Sequence, residues 1–250
     1  MAGLIAIPVV GVLSLAAAGT GGVAAQASCQ TFKETGKTIC GTFLTYWQKN
    51  GGLAQQGFPI SETMQETSDT DGKIYSVQYF ERAVFELHPE NKAPYDVLLS
   101  LLGVFEYQKR YVGLNAPGQR ASTDNPLLFK ETGKTIGGSF RTYWERNGGL
   151  AQQGLPISDE FQEVSALDGK TYTVQYFERA VFEKHPENQP PYDVLLSQLG
   201  TFRYNARAAA GGNHGGNSDA PVPRDLPTVP VPVPTESGSV PGPQPTRVAP

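Results

Sequence analysis

Two cysteines, three histidines and two methionines in 250 residues leave little material for metal or redox chemistry. Each of the two similar regions described below holds one histidine, His88 or His185, with no cysteine or second histidine close by. That is far from metal-ligand spacing, and neither a metal nor another cofactor is expected. No G-x-S-x-G, H-E-x-x-H or phosphate-cradling loop occurs, which disfavours the common hydrolase and nucleotide chemistries. A basic excess is missing too: 20 Lys and Arg stand against 24 Asp and Glu, with both signs interspersed. A chain without a basic stripe has nothing to neutralise phosphates, so nucleic acid is excluded as a partner. The single apolar run, residues 4–18, is too short to span a bilayer comfortably.

What the chain has is repetition. The block at residues 32–103 returns at residues 129–200, a constant offset of 97 without insertion or deletion, and most aligned positions are identical. A period this long is one small domain per copy, not a solenoid repeat. The expected architecture is α+β: two tandem small domains, each a short helix packed on a small antiparallel sheet. The expected segments are a signal peptide over residues 1–27, module 1 over 28–107, a linker over 108–125 and module 2 over 126–207. A disordered Pro-rich tail over 208–250 completes the chain, because P-V-P-R-D-L-P-T-V-P-V-P-V-P cannot bury a core. Each module is expected to fold independently and the chain to be monomeric.

The N-terminal apolar run ends near Ala25-Gln26-Ala27, an A-x-A pattern suited to cleavage before Ser28, although no Lys or Arg precedes it. The expected location is extracellular or at the cell envelope. Cys29 and Cys40 fit this, since Pro126 and Gly137 replace both of them in the second copy. Joint absence suits a pair bonded to each other, closing a short loop in an oxidising compartment. An alternative is acylation at Cys29; that lipid, or an uncleaved signal, is the route left to a membrane.

Within each copy the clearest element is a helix over residues 43–50 and 140–147. Phe140, Tyr143, Trp144 and Asn147 fall at i, i+3, i+4 and i+7. Gly148-Gly149 supplies a left-handed cap and Leu150 its apolar partner. Residues 154–158 read as an extended turn. Asp71-Gly72 and Asp168-Gly169 mark hairpins between runs such as 161–165 and 172–177. A further strand covers 180–185; Glu178-Arg179 is a poor tight-turn sequence, so a hairpin and a bent strand both remain open. Asp193 before V-L-L-S-Q-L-G reads as the cap of a short helix ending at Gly200, and Asp96 likewise in the first copy.

Candidate chemistry is sparse. Glu81-Arg82 and Glu178-Arg179 offer a carboxylate beside a cation, but structural ion pairs of that kind are common. Glu86, Glu90 and Asp96, with Glu183, Glu187 and Asp193, meet a glycosidase's need for two carboxylates by number only. The aromatic residues are the better lead. Tyr46-Trp47 and Tyr143-Trp144 are adjacent, so both cannot sit at the centre of one helix face. An outward ring stacks on a sugar's apolar face while nearby amides satisfy its hydroxyls. Tyr46, Trp47, Gln55, Gln56, Tyr143, Trp144, Gln152 and Gln153 are therefore the expected ligand-binding residues, with the two tyrosines as exposed platforms.

The order W-x-x-x-G-G, then G-F-P-I-S or G-L-P-I-S, then a phenylalanine-containing hairpin resembles the LGFP-repeat modules of bacterial envelope proteins. The tetrapeptide here is Gln56-Gly57-Phe58-Pro59 and Gln153-Gly154-Leu155-Pro156. The longer Q-Y-F-E-R version is similar to extracellular modules of Chloroflexi-type bacteria, often in tandem. The resemblance implies a non-catalytic role in envelope association. The expected function is thus a secreted tandem module binding envelope polysaccharide or peptidoglycan; a secreted glycan hydrolase and a purely structural spacer are the alternatives. Mass mapping of the mature protein under non-reducing conditions is expected to return one peptide pair joined through Cys29 and Cys40. Two free thiols, or a lipid on Cys29, would contradict it.

Overall fold

The computed structural model describes residues 28–111, 113 and 115–210. The expected signal segment and the Pro-rich sequence beyond residue 210 lie outside the described residues. Each copy opens with a two-stranded ribbon, β1 (Cys29–Thr31) with β2 (Thr38–Cys40) in the first and β7 (Leu127–Phe129) with β8 (Lys134–Ile136) in the second. A nine-residue helix follows, α1 (Gly41–Lys49) or α4 (Gly138–Arg146), then a one-turn helix, α2 (Gly52–Gln56) or α5 (Gly149–Gln153). A four-stranded antiparallel meander comes next: β3 (Met64–Thr67), β4 (Ile74–Tyr79), β5 (Val84–Leu87) and β6 (Val97–Leu99). Its repeat is β9 (Phe161–Val164), β10 (Thr171–Tyr176), β11 (Val181–Lys184) and β12 (Val194–Leu196). The copies close with α3 (Leu102–Arg110) and α6 (Leu199–Ala209). The fold is α+β with two sheet-based units.

Alternation along the strands explains the layering, since successive side chains point to opposite faces. One face of the first sheet joins Phe80 and Phe85 to Phe43, Leu44, Phe32 and Ile39, a core local to that copy. Ile136, Phe140, Phe177 and Phe182 build its counterpart in the second. The opposite faces, Tyr75, Val77 and Tyr79 with Tyr172, Val174 and Tyr176, merge into one shared core that also takes Leu102, Tyr107 and Leu199.

The closing helices are exchanged. α3, from the first copy, packs on β10 of the second, and α6 packs on β4 of the first. The Val104 amide donates to the Glu178 carbonyl (3.2 Å), and the Thr201 amide donates to the Glu81 carbonyl (3.1 Å). Gly103 and Gly200 make this approach possible. A Cβ on Gly103 would lie 1.9 Å from the Phe177 carbonyl oxygen, and one on Gly200 equally close to that of Phe80. The two modules are thus joined as an interlocked pair through a shared core.

Several local expectations change. The β10 and β11 runs form a hairpin: Tyr176 pairs with Val181, and the Phe177 amide donates to the Ala180 carbonyl across Glu178-Arg179. Asp96 and Asp193 cap no helix. V-L-L continues as an edge strand because its alternate side chains, Val97 and Val194 among them, close the local cores. Gly148 is left-handed as expected, but Gly149 starts α5, and Leu150 is exposed instead of packing against the cap.

The module boundary expected at residue 107 falls inside α3, and the described part of the expected linker over 108–125, though mostly exposed, is anchored to the second copy at several points. Ala116 is buried in the shared core, its amide bound to the Tyr107 hydroxyl (3.1 Å), and Arg120 and Glu160 exchange backbone hydrogen bonds. This segment takes the place of the disulfide. In the first copy Cys29 and Cys40, paired across β1 and β2, are bonded. At the matching site a Cβ on Gly137 would meet Ser122 Oγ at 2.2 Å, and the Gly138 amide binds the Asp124 carbonyl at 2.7 Å. Residues 208 and 209, assigned to the tail from sequence, end α6.

Gly200→Ala is expected to destabilise the protein by about 3 kcal/mol or more, at or above the upper end of overpacking costs, since backbone must move. Because the helix sits on the first copy, urea unfolding should remain one transition. A second transition, with the first copy unaffected, would contradict the exchange.

Candidate functional site

Six of the eight residues expected to bind a ligand meet at the junction of α1–α2 with α4–α5, where they bind one another. Gln55 Nε2 donates to the Tyr143 hydroxyl at 2.6 Å, and Gln152 Nε2 to the Tyr46 hydroxyl at 2.9 Å. Gln56 Nε2 donates to Gln152 Oε1, and Gln153 Nε2 to Gln55 Oε1, both at 2.8 Å. Gln56 and Gln153 also reach the carbonyls of Asn50 and Asn147, which end α1 and α4. All four glutamines are buried. Buried amides need such partners, because an unpaired one loses its hydration without return.

The two tyrosines are not exposed platforms. Their rings pack edge-on against Phe85 and Phe182, and their hydroxyls receive the amides of the other copy. Burial pushes the Tyr143 phenol up to about 12, against the lowering effects of Gln55 and the Arg82 charge. Burial likewise raises Tyr46. Trp47 and Trp144 stand apart from this network. Each indole N–H binds a carbonyl of its own copy, Gly57 or Gly154, at 3.0 Å, and each ring packs against Phe32 or Phe129.

Glu81 and Arg82 are turn residues. Glu81 Oε2 accepts the Phe58 amide at 3.1 Å while Arg82 Nη1 donates to the Leu53 carbonyl, fastening the hairpin turn to the G-F-P segment and to α2. Glu178 and Arg179 do the same for the G-L-P segment.

A further polar cluster surrounds His88. Its Nδ1 lies 2.9 Å from Glu90 Oε1, its Nε2 lies 3.8 Å from Glu86 Oε2, and its ring centroid is 4.0 Å from that of Tyr75. The Tyr75 hydroxyl donates to Asp71 Oδ2, and the Ser100 hydroxyl donates to Glu86. The second copy repeats the set around His185 with Glu187, Glu183, Tyr172, Asp168 and Ser197. Glu86 stands between serine and histidine, so the imidazole is not placed to take the serine proton, as a nucleophilic triad requires. Glu90's own backbone N–H, and then His88, hold its carboxyl below the usual carboxylate range; Glu187 is held down likewise. That direction opposes a general acid, which needs a raised pKa. Asp96 contributes only its carbonyl, to the His88 amide.

Among the described residues no group of three or more His, Cys, Asp or Glu side chains is arranged to hold a metal ion, and no helix is long and apolar enough to cross a membrane. An open groove of about 380 Å³ lies between α3 and α6, with Phe105 and Phe202 among its lining residues.

Sequence reasoning passed over Tyr95 and Tyr192, which are 47% and 70% exposed on the loops before β6 and β12. Asn91 Nδ2 and Asn188 Nδ2 brace these loops by donating to the Tyr95 and Tyr192 carbonyls at 3.1 Å. The signal available was Pro-Tyr-Asp closing a polar loop in both copies. No protein-family model, curated protein or solved structure matches this chain.

Gln152→Ala is expected to cost about 1–3 kcal/mol, because it strips partners from the Tyr46 hydroxyl and the Gln56 amide among buried glutamines. Thermal unfolding checks this; a loss below about 0.5 kcal/mol, an ordinary surface effect, would show the network to be wet.

Proposed function

We propose that this chain is a secreted, non-catalytic attachment module for envelope polysaccharide or peptidoglycan, which it contacts through Tyr95 and Tyr192. The observation that carries the reading is a pair of outward tyrosines on equivalent, asparagine-braced loops of one interlocked body. A ring that stays exposed in a braced loop stacks on the apolar face of a pyranose with little ordering cost. Neighbouring Lys92, Asn91, Gln189 and Asn188 offer hydrogen bonds to the sugar hydroxyls. The likeness to LGFP-repeat modules supports the same assignment. So does the Cys29–Cys40 disulfide, a bond at home in oxidising compartments. The exchanged helices hold the two loops at a set separation, so a polymer reaching both is gripped twice.

A structural spacer is the second reading, favoured by the shared core that makes one body of two repeats. Co-sedimentation with purified cell walls separates the two. Tyr95→Ala and Tyr192→Ala are each expected to weaken retention about 2- to 10-fold, the range of a lost aromatic stack, and the double variant more. Circular dichroism should stay unchanged. Failure of the wild-type protein to sediment would give the spacer reading first place.

A further inference from the structure

The exchange of α3 and α6 poses a question of choice. The copies are so alike that the choice of sheet for each helix needs a physical reason. Leu102, Gly103, Phe105, Tyr107 and Arg110 in α3 match Leu199, Gly200, Phe202, Tyr204 and Arg207 in α6. The main ion pair matches as well. Arg207 Nε lies 2.7 Å from Glu66 Oε1 on the first sheet, and Arg110 Nη1 lies 3.0 Å from Glu163 Oε1 on the second. This pair alone does not tell the helices apart. Packing does so in part: Tyr111 at the end of α3 packs on Phe161 and donates to Glu163, where the matching residues are Ala208 in α6 and Met64 on the first sheet.

A second distinction is one of charge. α6 carries Arg203 where α3 carries Glu106, and the first sheet's β3–β4 turn carries Asp69 where the second has Ala166. In the exchanged arrangement Arg203 binds Asp69, which Arg207 Nη2 also reaches at 2.8 Å. Glu106 turns along its own helix to Arg110 Nε at 2.6 Å and Lys109 Nζ at 3.7 Å.

We propose that Asp69 and Arg203, set against Ala166 and Glu106, select the exchanged arrangement over docking of each helix on its own sheet. Own-sheet docking would bring Glu106 to Asp69 and Glu66, three carboxylates facing Arg110 and Lys109. It would also leave Arg203 and Arg207 with Glu163 alone. The exchanged arrangement gives each face two carboxylates and two cations. The side chains of Arg203, Asp69, Arg207 and Glu66 are each less than a third exposed, so solvent screens their interactions only in part. Like charges brought together there oppose docking, while the complementary set favours it.

The choice can be read from ring contacts without altering the rings. Tyr79 and Tyr204 have centroids 5.2 Å apart, and Tyr107 and Tyr176 4.9 Å. Own-sheet docking would instead pair Tyr107 with Tyr79 and Tyr204 with Tyr176. Nuclear Overhauser contacts in the tyrosine-labelled full chain report which set is populated. Glu106→Arg with Arg203→Glu is expected to lower the thermal midpoint by about 3 °C or more. It should also populate the own-sheet contacts, or prevent folding altogether. Adding Asp69→Ala and Ala166→Asp to that pair rebuilds the exchanged complementarity, so the fourfold variant should recover both the exchanged contacts and the midpoint. A twofold variant that keeps only the exchanged contacts would overturn the proposal and leave Tyr111, packed on Phe161, as the selector. So would a fourfold variant that fails to recover.

Discussion

Everything in this structure depends on two glycines seated on two turns. Gly103 and Gly200 open the closing helices, and each lies against the carbonyl of a hairpin in the opposite copy at a distance no side chain permits. From that seat each helix covers the tyrosine-rich face of a sheet to which it is not sequentially joined. The hairpin turns are tied down in turn by Glu81-Arg82 and Glu178-Arg179, whose glutamates hold the G-F-P and G-L-P segments and whose arginines hold α2 and α5. The Q-Y-F-E-R motif is thus a docking step, with its glutamate carbonyl offered to the incoming helix.

The amide network at the other junction answers a different need. α2 and α5 are single turns, too short to stand alone in water. Gln55, Gln56, Gln152 and Gln153 close the ends of α1 and α4 and pair across the junction. Residues that resemble sugar ligands in sequence prove to be mutual ligands, because duplication supplies each with a partner of matching geometry. Hydrogen-bonding capacity aimed outward in one copy alone is satisfied once the second faces it.

Local chemistry was legible in the sequence; the choice of partner was not. Phe43, Trp47 and the double glycine marked α1, Asp-Gly marked the β3–β4 and β9–β10 turns, and the paired cysteines marked the closure of β1 on β2. Aspartate before an aliphatic run imitated a helix cap at Asp96 and Asp193, where burial of alternate residues makes a strand instead. The exchange left no trace in periodicity, since two nearly identical copies present the same apolar faces whichever way the helices lie. Its visible marks were a charge difference, Arg203 for Glu106 and Asp69 for Ala166, and an aromatic one, Tyr111 with Phe161 against Ala208 with Met64, readable only once both sheets are in view. The candidate site suffered similarly: Tyr46 and Tyr143 have the pattern of half-exposed rings, and only the opposing glutamines reveal where their hydroxyls go.

Exchange also reroutes mechanical load. The chain leaves the described fold from the end of α6, which is bolted to the first copy's sheet through Thr201, Arg203 and Arg207. A pull transmitted from residue 210 onward would therefore be borne first by β4 and the β3–β4 turn, near the disulfide-closed half, and not by the repeat that precedes it in sequence. Tension on one end of the polypeptide would press the two repeats into a common response, as a strap threaded through two buckles tightens both.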